Sequence, residues 1–340
     1  MARATAAGAA SAAKARCRMS VRPAQPHWAQ INEASFVGGM RLLFWIYRIA
    51  GRWPFRIALY PVLGWYLLSK PAARQASMAY LQRLSAFDPA VARINRIRPG
   101  LRGVFQHFAS FAENILDKML LWGGLFKTAE VVSFGREQML ENIQAQRGGL
   151  LICAHLGNLE LCRVLSRQRQ ALRITVLVHT KHAQAFNRLL AKLDPDSQLN
   201  LMQVSEMTPA TAMILAEKVG RGEFVAIAGD RIPVSAAPRV ARASFLGESA
   251  AFPVGPYVLA SLLQCPVYLL FSMTKNGHSE CHFELFREAI RLPRKERDQV
   301  LDELAAAYAA RLEHFCLRAP LQWFNFYDFW QLSGYQDASR

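Results

Sequence analysis

The sequence predicts an α/β fold in which a mostly parallel central sheet is flanked by helices and preceded by an N-terminal helical region. Three observations lead there. From Ala129 onward, short apolar runs alternate with segments of helical period. Those runs are bounded by glycine, proline or polar clusters, as buried strands are. Before Ala129 the period is helical, with apolar residues at 101, 104, 105, 108, 111, 112, 115, 116 and 119 forming a core-facing stripe.

The elements follow in order. Residues 131–134 read as a short strand and 137–145 as a helix; 150–154 as a strand and 159–169 as a helix. Residues 174–178 are a third strand, followed by a helix around 184–193 and a strand-like run at 199–204. Thr208 caps a helix that begins at Pro209 and ends near Gly220, a match to start and stop signals. Residues 224–228 are again a core strand. Asn276-Gly277 between two β-rich runs signals a hairpin. Its second strand puts His278, Glu280, His282 and Glu284 on one face, which reads as a solvated edge strand rather than a metal site. Residues 295–317 form a last amphipathic helix, its stripe running through Val300, Leu304, Tyr308, Leu312 and Phe315. No internal repeat is present.

The chain of 340 residues is 52% hydrophobic and 11% aromatic, enough for a sizeable core. Its formal charge of +16 is unevenly spread. Through residue 102 there are 16 Lys/Arg against 2 Asp/Glu; beyond it, 25 against 23. The positive field therefore belongs to the N-terminal third and points to an anionic membrane surface, nucleic acid or an acidic protein. Four segments are expected: a disordered basic leader at 1–26, a helical membrane-associating region at 27–125, an α/β domain at 126–330 and a tail at 331–340. The leader has no acidic residue and no apolar core, which argues against a secretory signal, and Met19 is an alternative start. The six cysteines form no CxxC pair and mostly sit in apolar runs, as free thiols of a reducing compartment do.

Residues 36–68 interleave Trp, Tyr, Phe and Leu with Arg41, Arg48, Arg52 and Arg56. The longest charge-free stretch, 57–68, is too short to span a bilayer, and Pro54 and Pro61 interrupt any single helix. Such a segment fits the headgroup region, its arginines reaching toward phosphates. Nucleic acid is disfavoured as a partner, because Leu and Ile dominate the apolar set and no nucleic-acid-binding motif is present.

The chemistry concentrates at two strand ends. In GGLLICAHLGNLE, His155 falls just past a core strand, where open α/β sheets bind ligands. Gly157 permits a tight turn and Asn158 favours the start of a helix. Glu160 then lies in the first turn, within reach of the imidazole, and a carboxylate behind a histidine fixes its tautomer and raises its basicity. A base without a covalent nucleophile suits deprotonation of a substrate hydroxyl that attacks a thioester. In AIAGDRIP, Arg231 supplies a cation for phosphate or oxyanion and Asp230 a carboxylate to position it. Gly157, Asn158, Asp230 and Arg231 thus read as substrate-binding and His155 and Glu160 as catalytic. No metal is expected: Cys153, His155, Glu160 and Cys162 lack the pairing of a zinc site. The absence of a G-x-S-x-G elbow disfavours a serine hydrolase.

HLGNLE resembles the HxGNxE form of the H-x4-(D/E) motif of the lysophospholipid acyltransferase superfamily, in the branch that includes the lipid A late acyltransferases. AGDRIP is similar to that branch's later strand-end motif. FLGESAAFPVGPYVLASLLQCPVYLLF resembles its F-G-x-P-x-G-P-x-x-L-A segment, and PLQWFNFYDFW its closing segment. VLVHTKHAQAFN sits where the family carries a loop between the two motifs. The resemblance covers residues 36–330. It implies an acyltransferase-like α/β/α fold and a monotopic protein on the cytoplasmic face of the inner membrane. It also implies acyl transfer from acyl carrier protein or coenzyme A to a lipid hydroxyl, with no other cofactor, His155 as base and Glu160 orienting it. Phe324-Asn325-Phe326 departs from the lipid A pattern, and the chain also resembles a branch linked to aryl polyene and other pigment-type lipids. Both acceptor classes stay open, as does a non-catalytic membrane-surface binding protein.

Overall fold

A computed structural model describes residues 49, 51–122, 125–126, 131–161, 173–178, 199–203, 208–232 and 238–330. The leader at 1–26, the helix expected at 184–193, the greater part of that expected at 159–169, and the tail lie outside the described residues.

The described chain opens with helices α1 (Arg52–Ser69), α2 (Pro71–Phe87), α3 (Pro89–Ile94) and α4 (Leu101–Trp122). Proline starts α2 and α3, where its missing N–H costs nothing, and the Asp88 carboxylate caps α3 by accepting from the Val91 amide at 2.9 Å. The expected interruption at Pro54 and Pro61 does not occur. Pro54 lies in the first turn of α1, where no helical acceptor exists for its amide, and α1 continues through Pro61 at the loss of one backbone bond.

The α/β part comprises β1 (Val131–Phe134), α5 (Glu137–Gln144), β2 (Gly149–Cys153), β3 (Ile174–Val178), β4 (Leu199–Gln203), α6 (Pro209–Gly220), β5 (Phe224–Ala228), β6 (Val240–Phe245), β7 (Glu248–Pro253), α7 (Gly255–Leu263), β8 (Val267–Lys275), β9 (His278–Arg287) and α8 (Arg297–Arg318). Thr208 caps α6 by accepting from the Thr211 amide, and Pro209 begins it, as the sequence predicts. Among the described residues, seven strands form one sheet in the order β1-β9-β8-β2-β5-β3-β4, in which only the β8–β9 pairing is antiparallel, and β6 and β7 make a separate hairpin. Asn276 and Gly277 both take positive φ in the β8–β9 turn, the conformation their types favour.

Both sheet faces are covered, which explains the unbroken apolar runs. Leu150, Ile152, Val225 and Ile227 share one core with α1, α2, α4 and α8, through residues such as Phe55, Tyr80, Phe108 and Tyr308. Leu151, Cys153, Phe224 and Ala226 pack on the other side with Met139 and Tyr268. One core thus runs across the boundary expected at 125/126.

The reading of β9 as a solvated edge strand is corrected. It lies between β1 and β8, and its polar face meets α8: Arg311 pairs with Glu284 at 2.7 Å, Arg318 with Glu280 at 3.0 Å, and His282 with Glu280 at 2.8 Å. Carboxylates can stand on this covered face because arginines of the last helix cross over and pair with them.

Candidate active site

Two strands distant in sequence build the site. β2 and β5 are parallel neighbours with Cys153 opposite Ala228, so the chain leaves both at the same edge. His155 and Asp230 each follow two residues later. Tyr308 and the Gly229 amide both donate to the Cys153 carbonyl, at 2.8 Å each, which locks the two strand ends together. Loops at the carboxyl edge of such a sheet form its ligand-binding crevice.

The His155 Nδ1 bonds Asp230 Oδ1 at 2.7 Å, and the His155 amide donates to Asp230 Oδ2, also at 2.7 Å. The indole N–H of Trp323 donates to the same Oδ2 at 3.0 Å. Asp230 is essentially buried, whereas the His155 side chain is 32% exposed. Burial on its own would push the Asp230 carboxyl up; the charge of His155, the hydrogen bonds from it and Arg231 outweigh that and hold it below the usual carboxylate range. An ionised carboxylate only accepts, so Nδ1 carries the proton and Nε2 keeps its lone pair. Burial and then Arg231 lower the His155 pKa, with Asp230 opposing and Lys118 adding to the decrease. The imidazole is therefore neutral at neutral pH, a proton acceptor on a side chain that solvent partly reaches.

The carboxylate at Nδ1 is thus Asp230, in the place where the sequence reading expects Glu160. Nδ1 has one hydrogen, and parallel register delivers Asp230 to it. Glu160 lies in a short 3-10 turn (Leu159–Leu161) against which α4 packs, where its charge acts on Lys118. The Asp230 oxygens serve His155 and Trp323, while Arg231 Nη2 donates to the Phe324 carbonyl at 3.3 Å.

Gly157 and Asn158, expected to bind substrate, have structural duties. Gly157 sits at φ +59, and a Cβ there would lie 2.2 Å from the Ser272 carbonyl oxygen. Asn158 is buried and caps the turn, its Oδ1 accepting from the Glu160 amide at 3.1 Å. Cys153 stays a thiol, its pKa pushed up to about 12 by burial first and by Asp230. Among the described residues no three His, Cys, Asp or Glu side chains come together to hold a metal ion.

A closing loop, residues 319–330, seals this edge. The Gly157 amide donates to the Gln322 carbonyl and the Phe324 amide to the His155 carbonyl, each at 2.8 Å, and Leu156 forms an antiparallel bridge with Trp323. Trp323, His107 and Lys118 are site residues that sequence reasoning missed. His107 and Lys118 sit inside or beside a helical stripe that reads only as packing; Trp323 lies in a segment whose one signal was the resemblance.

A family described as bacterial lipid A biosynthesis acyltransferase matches residues 108–331, from within α4 to the end of the closing loop. This agrees with the resemblance carried by HLGNLE and AGDRIP. No curated protein matches the chain.

Proposed function

The chain belongs to the bacterial lipid A biosynthesis acyltransferase family, and on that premise we propose that it moves a fatty acyl group from an acyl thioester to a hydroxyl of a lipid acceptor. Family members act in general on acyl-thioester donors and lipid acceptors. The observation that carries the reading is the His155–Asp230 pair, with Nδ1 committed to a buried carboxylate and Nε2 left as a lone pair.

Nε2 of His155 takes the proton of the acceptor hydroxyl as its oxygen attacks the thioester carbonyl. Charge on the resulting oxyanion is stabilised by Arg231, which also suits a phosphate of either substrate. Collapse breaks the carbon–sulfur bond, and the leaving thiolate takes the proton back from the imidazolium. Acyl carrier protein or coenzyme A is the carrier of that thiol. The acceptor is a lipid A-type precursor or a polyene-type pigment lipid.

The reaction occurs at the cytoplasmic face of the inner membrane, with the protein attached peripherally. Two features support the peripheral attachment. On α1 the face opposite Phe55, Leu59 and Leu63 exposes Trp53, Ile57, Trp65 and Leu68. At the junction of α3 and α4, Arg93, Arg96, Arg98 and Arg102 are all exposed, in a run without a carboxylate. Among the described residues no helix is long and apolar enough to cross a membrane.

The test incubates the full chain with bacterial membrane lipid extracts and acyl thioesters of several chain lengths on both carriers, reading products by mass. Acylated lipid formed by the wild type and abolished in His155→Ala, with vesicle binding intact, supports the enzyme. An active His155→Ala protein, or vesicle binding with no acylation on any extract, overturns it in favour of a membrane-surface binding protein.

A further inference from the structure

Two side chains of the closing loop reach Asp230: the Tyr327 hydroxyl donates to its backbone carbonyl at 3.2 Å, and Trp323, itself held from the helical layer, reaches its carboxylate. Trp323 is fully buried. Its indole N–H donates to Asp230 Oδ2 at 3.0 Å, and its backbone carbonyl bonds His107 Nε2 of α4 at 2.9 Å. The other ring nitrogen of His107 bonds the Ser77 hydroxyl of α2 at 2.8 Å. A carbonyl only accepts, so His107 carries its proton on Nε2 and takes the Ser77 proton at Nδ1. The run Ser77, His107, Trp323, Asp230, His155 is thereby joined end to end, each donating to the next until the ionised carboxylate receives from both sides, with Nε2 of His155 left as the lone pair. The tryptophan ring cannot turn away: Tyr80, Phe245 and Phe329 meet it edge-on, with centroids 5.0, 5.2 and 5.1 Å away.

Packing alone does not require this. A phenylalanine would occupy most of the same aromatic box with no N–H to satisfy, and a leucine at 107 would bring no ring nitrogens that need partners. What the arrangement adds is a fixed position for Asp230 Oδ2, and hence for the imidazole bonded through Oδ1. A base misplaced by about 1 Å forfeits a large part of its advantage.

We infer that Trp323 and His107 are positioning residues for acyl transfer, a hydrogen-bonded strut from α2 and α4 that holds Asp230, and through it His155, in register with the substrate. The inference rests on His155 being the base. It makes the helical layer part of the catalytic apparatus rather than only a platform.

The experiment uses the full chain, dodecanoyl-coenzyme A and vesicles of bacterial total lipid, with thiol release and lipid products followed together. The His155 ring is titrated in parallel by NMR on histidine-labelled protein, which needs no turnover. Trp323→Phe keeps an aromatic ring in the box and removes the donor together with the pyrrole ring that carries it. Its expected effect is a roughly tenfold fall in kcat with KM unchanged. The His155 titration moves to higher pH, because a carboxylate with one donor fewer holds the imidazolium more strongly. His107→Leu lowers kcat with KM unchanged, and His107→Gln, whose amide can still donate to the Trp323 carbonyl, restores it. A Trp323→Phe protein with wild-type kcat and wild-type titration, whatever its Tm, overturns the inference. So does equal loss in His107→Leu and His107→Gln; that pair also carries the test should Trp323→Phe not fold. If His155→Ala remains active, the base assignment falls instead, and the NMR titration still reports whether the strut acts on the ring.

Discussion

His155 and Asp230 lie 75 residues apart in the chain, and two hydrogen bonds of 2.7 Å join them, one from the imidazole and one from the backbone amide of the same histidine. The double attachment fixes the ring's tautomer and the position of its Cα together. Asp230→Asn replaces an oxygen with a donor and presents the imidazole with the wrong partner. Activity is expected to fall roughly a hundredfold or more, as when a dyad carboxylate loses its acceptor. Glu160→Gln, one short turn away, should lose far less. Steady-state kinetics on both variants decide the assignment; a Glu160→Gln loss equal to that of Asp230→Asn would return the orienting role to Glu160.

The base must be neutral to act, and burial with Arg231 lowers its pKa below the ordinary 6.5 despite the pull of Asp230. The acid limb of kcat/KM should therefore lie below that value, with activity kept as pH falls through it. Arg231→Gln removes a repelling cation, so the limb should move up. A pH–rate profile of the two proteins measures this, and a wild-type limb above the ordinary imidazole value would contradict it.

His107 makes a separate demand on stability. Burial, against one backbone hydrogen bond, lowers its pKa from 6.5 to about 4. The unfolded chain thus takes up a proton at this residue well before the folded one does. Folding stability is intact above pH 6.5 and is lost progressively as pH falls from 6.5 toward 4, by about 3 kcal/mol if the whole shift is realised. His107→Gln cannot titrate, so its urea midpoint should change less than the wild type's between pH 7 and pH 4.5. Parallel acid sensitivity in the two proteins would show that protonation elsewhere governs the transition.

The sequence discloses strands and turns better than it discloses neighbours. Leu150 to Cys153 and Phe224 to Ala228 read as core strands because both sheet faces bury them, and Asn276-Gly277 names its hairpin through positive φ. Strand order is another matter. β3 and β4 intervene between β2 and β5 in the chain, yet β2 and β5 pair directly, and only that pairing sets Asp230 beside His155. Glu160 is the nearer carboxylate along the chain, five residues from His155 where Asp230 is 75 away. β9 misled for a related reason: alternating polar residues suit a solvated face, and nothing local says that Arg311 and Arg318 will cross it. His107 and Ser77 are legible only once α2 and α4 are known to touch.

The exposed face of α1 carries the last prediction. Trp53 is 74% exposed, Trp65 68% and Leu68 78%, on a helix whose other side is sunk into the core through Phe55, Leu59 and Leu63. Leaving two indoles in water is costly unless another apolar phase receives them. A bilayer headgroup region does so, and the exposed arginines at 93, 96, 98 and 102 add attraction to anionic lipid that salt will screen. Trp53→Glu and Trp65→Glu place charge where the interface would lie and do not touch the buried side. Each is expected to reduce partitioning onto anionic vesicles roughly tenfold while Tm holds. Charge reversal of the four arginines should weaken binding at low salt only, because screening already removes their contribution at high salt. Sedimentation with vesicles separates the two contributions, and unchanged binding in the tryptophan variants would assign the attachment to another surface.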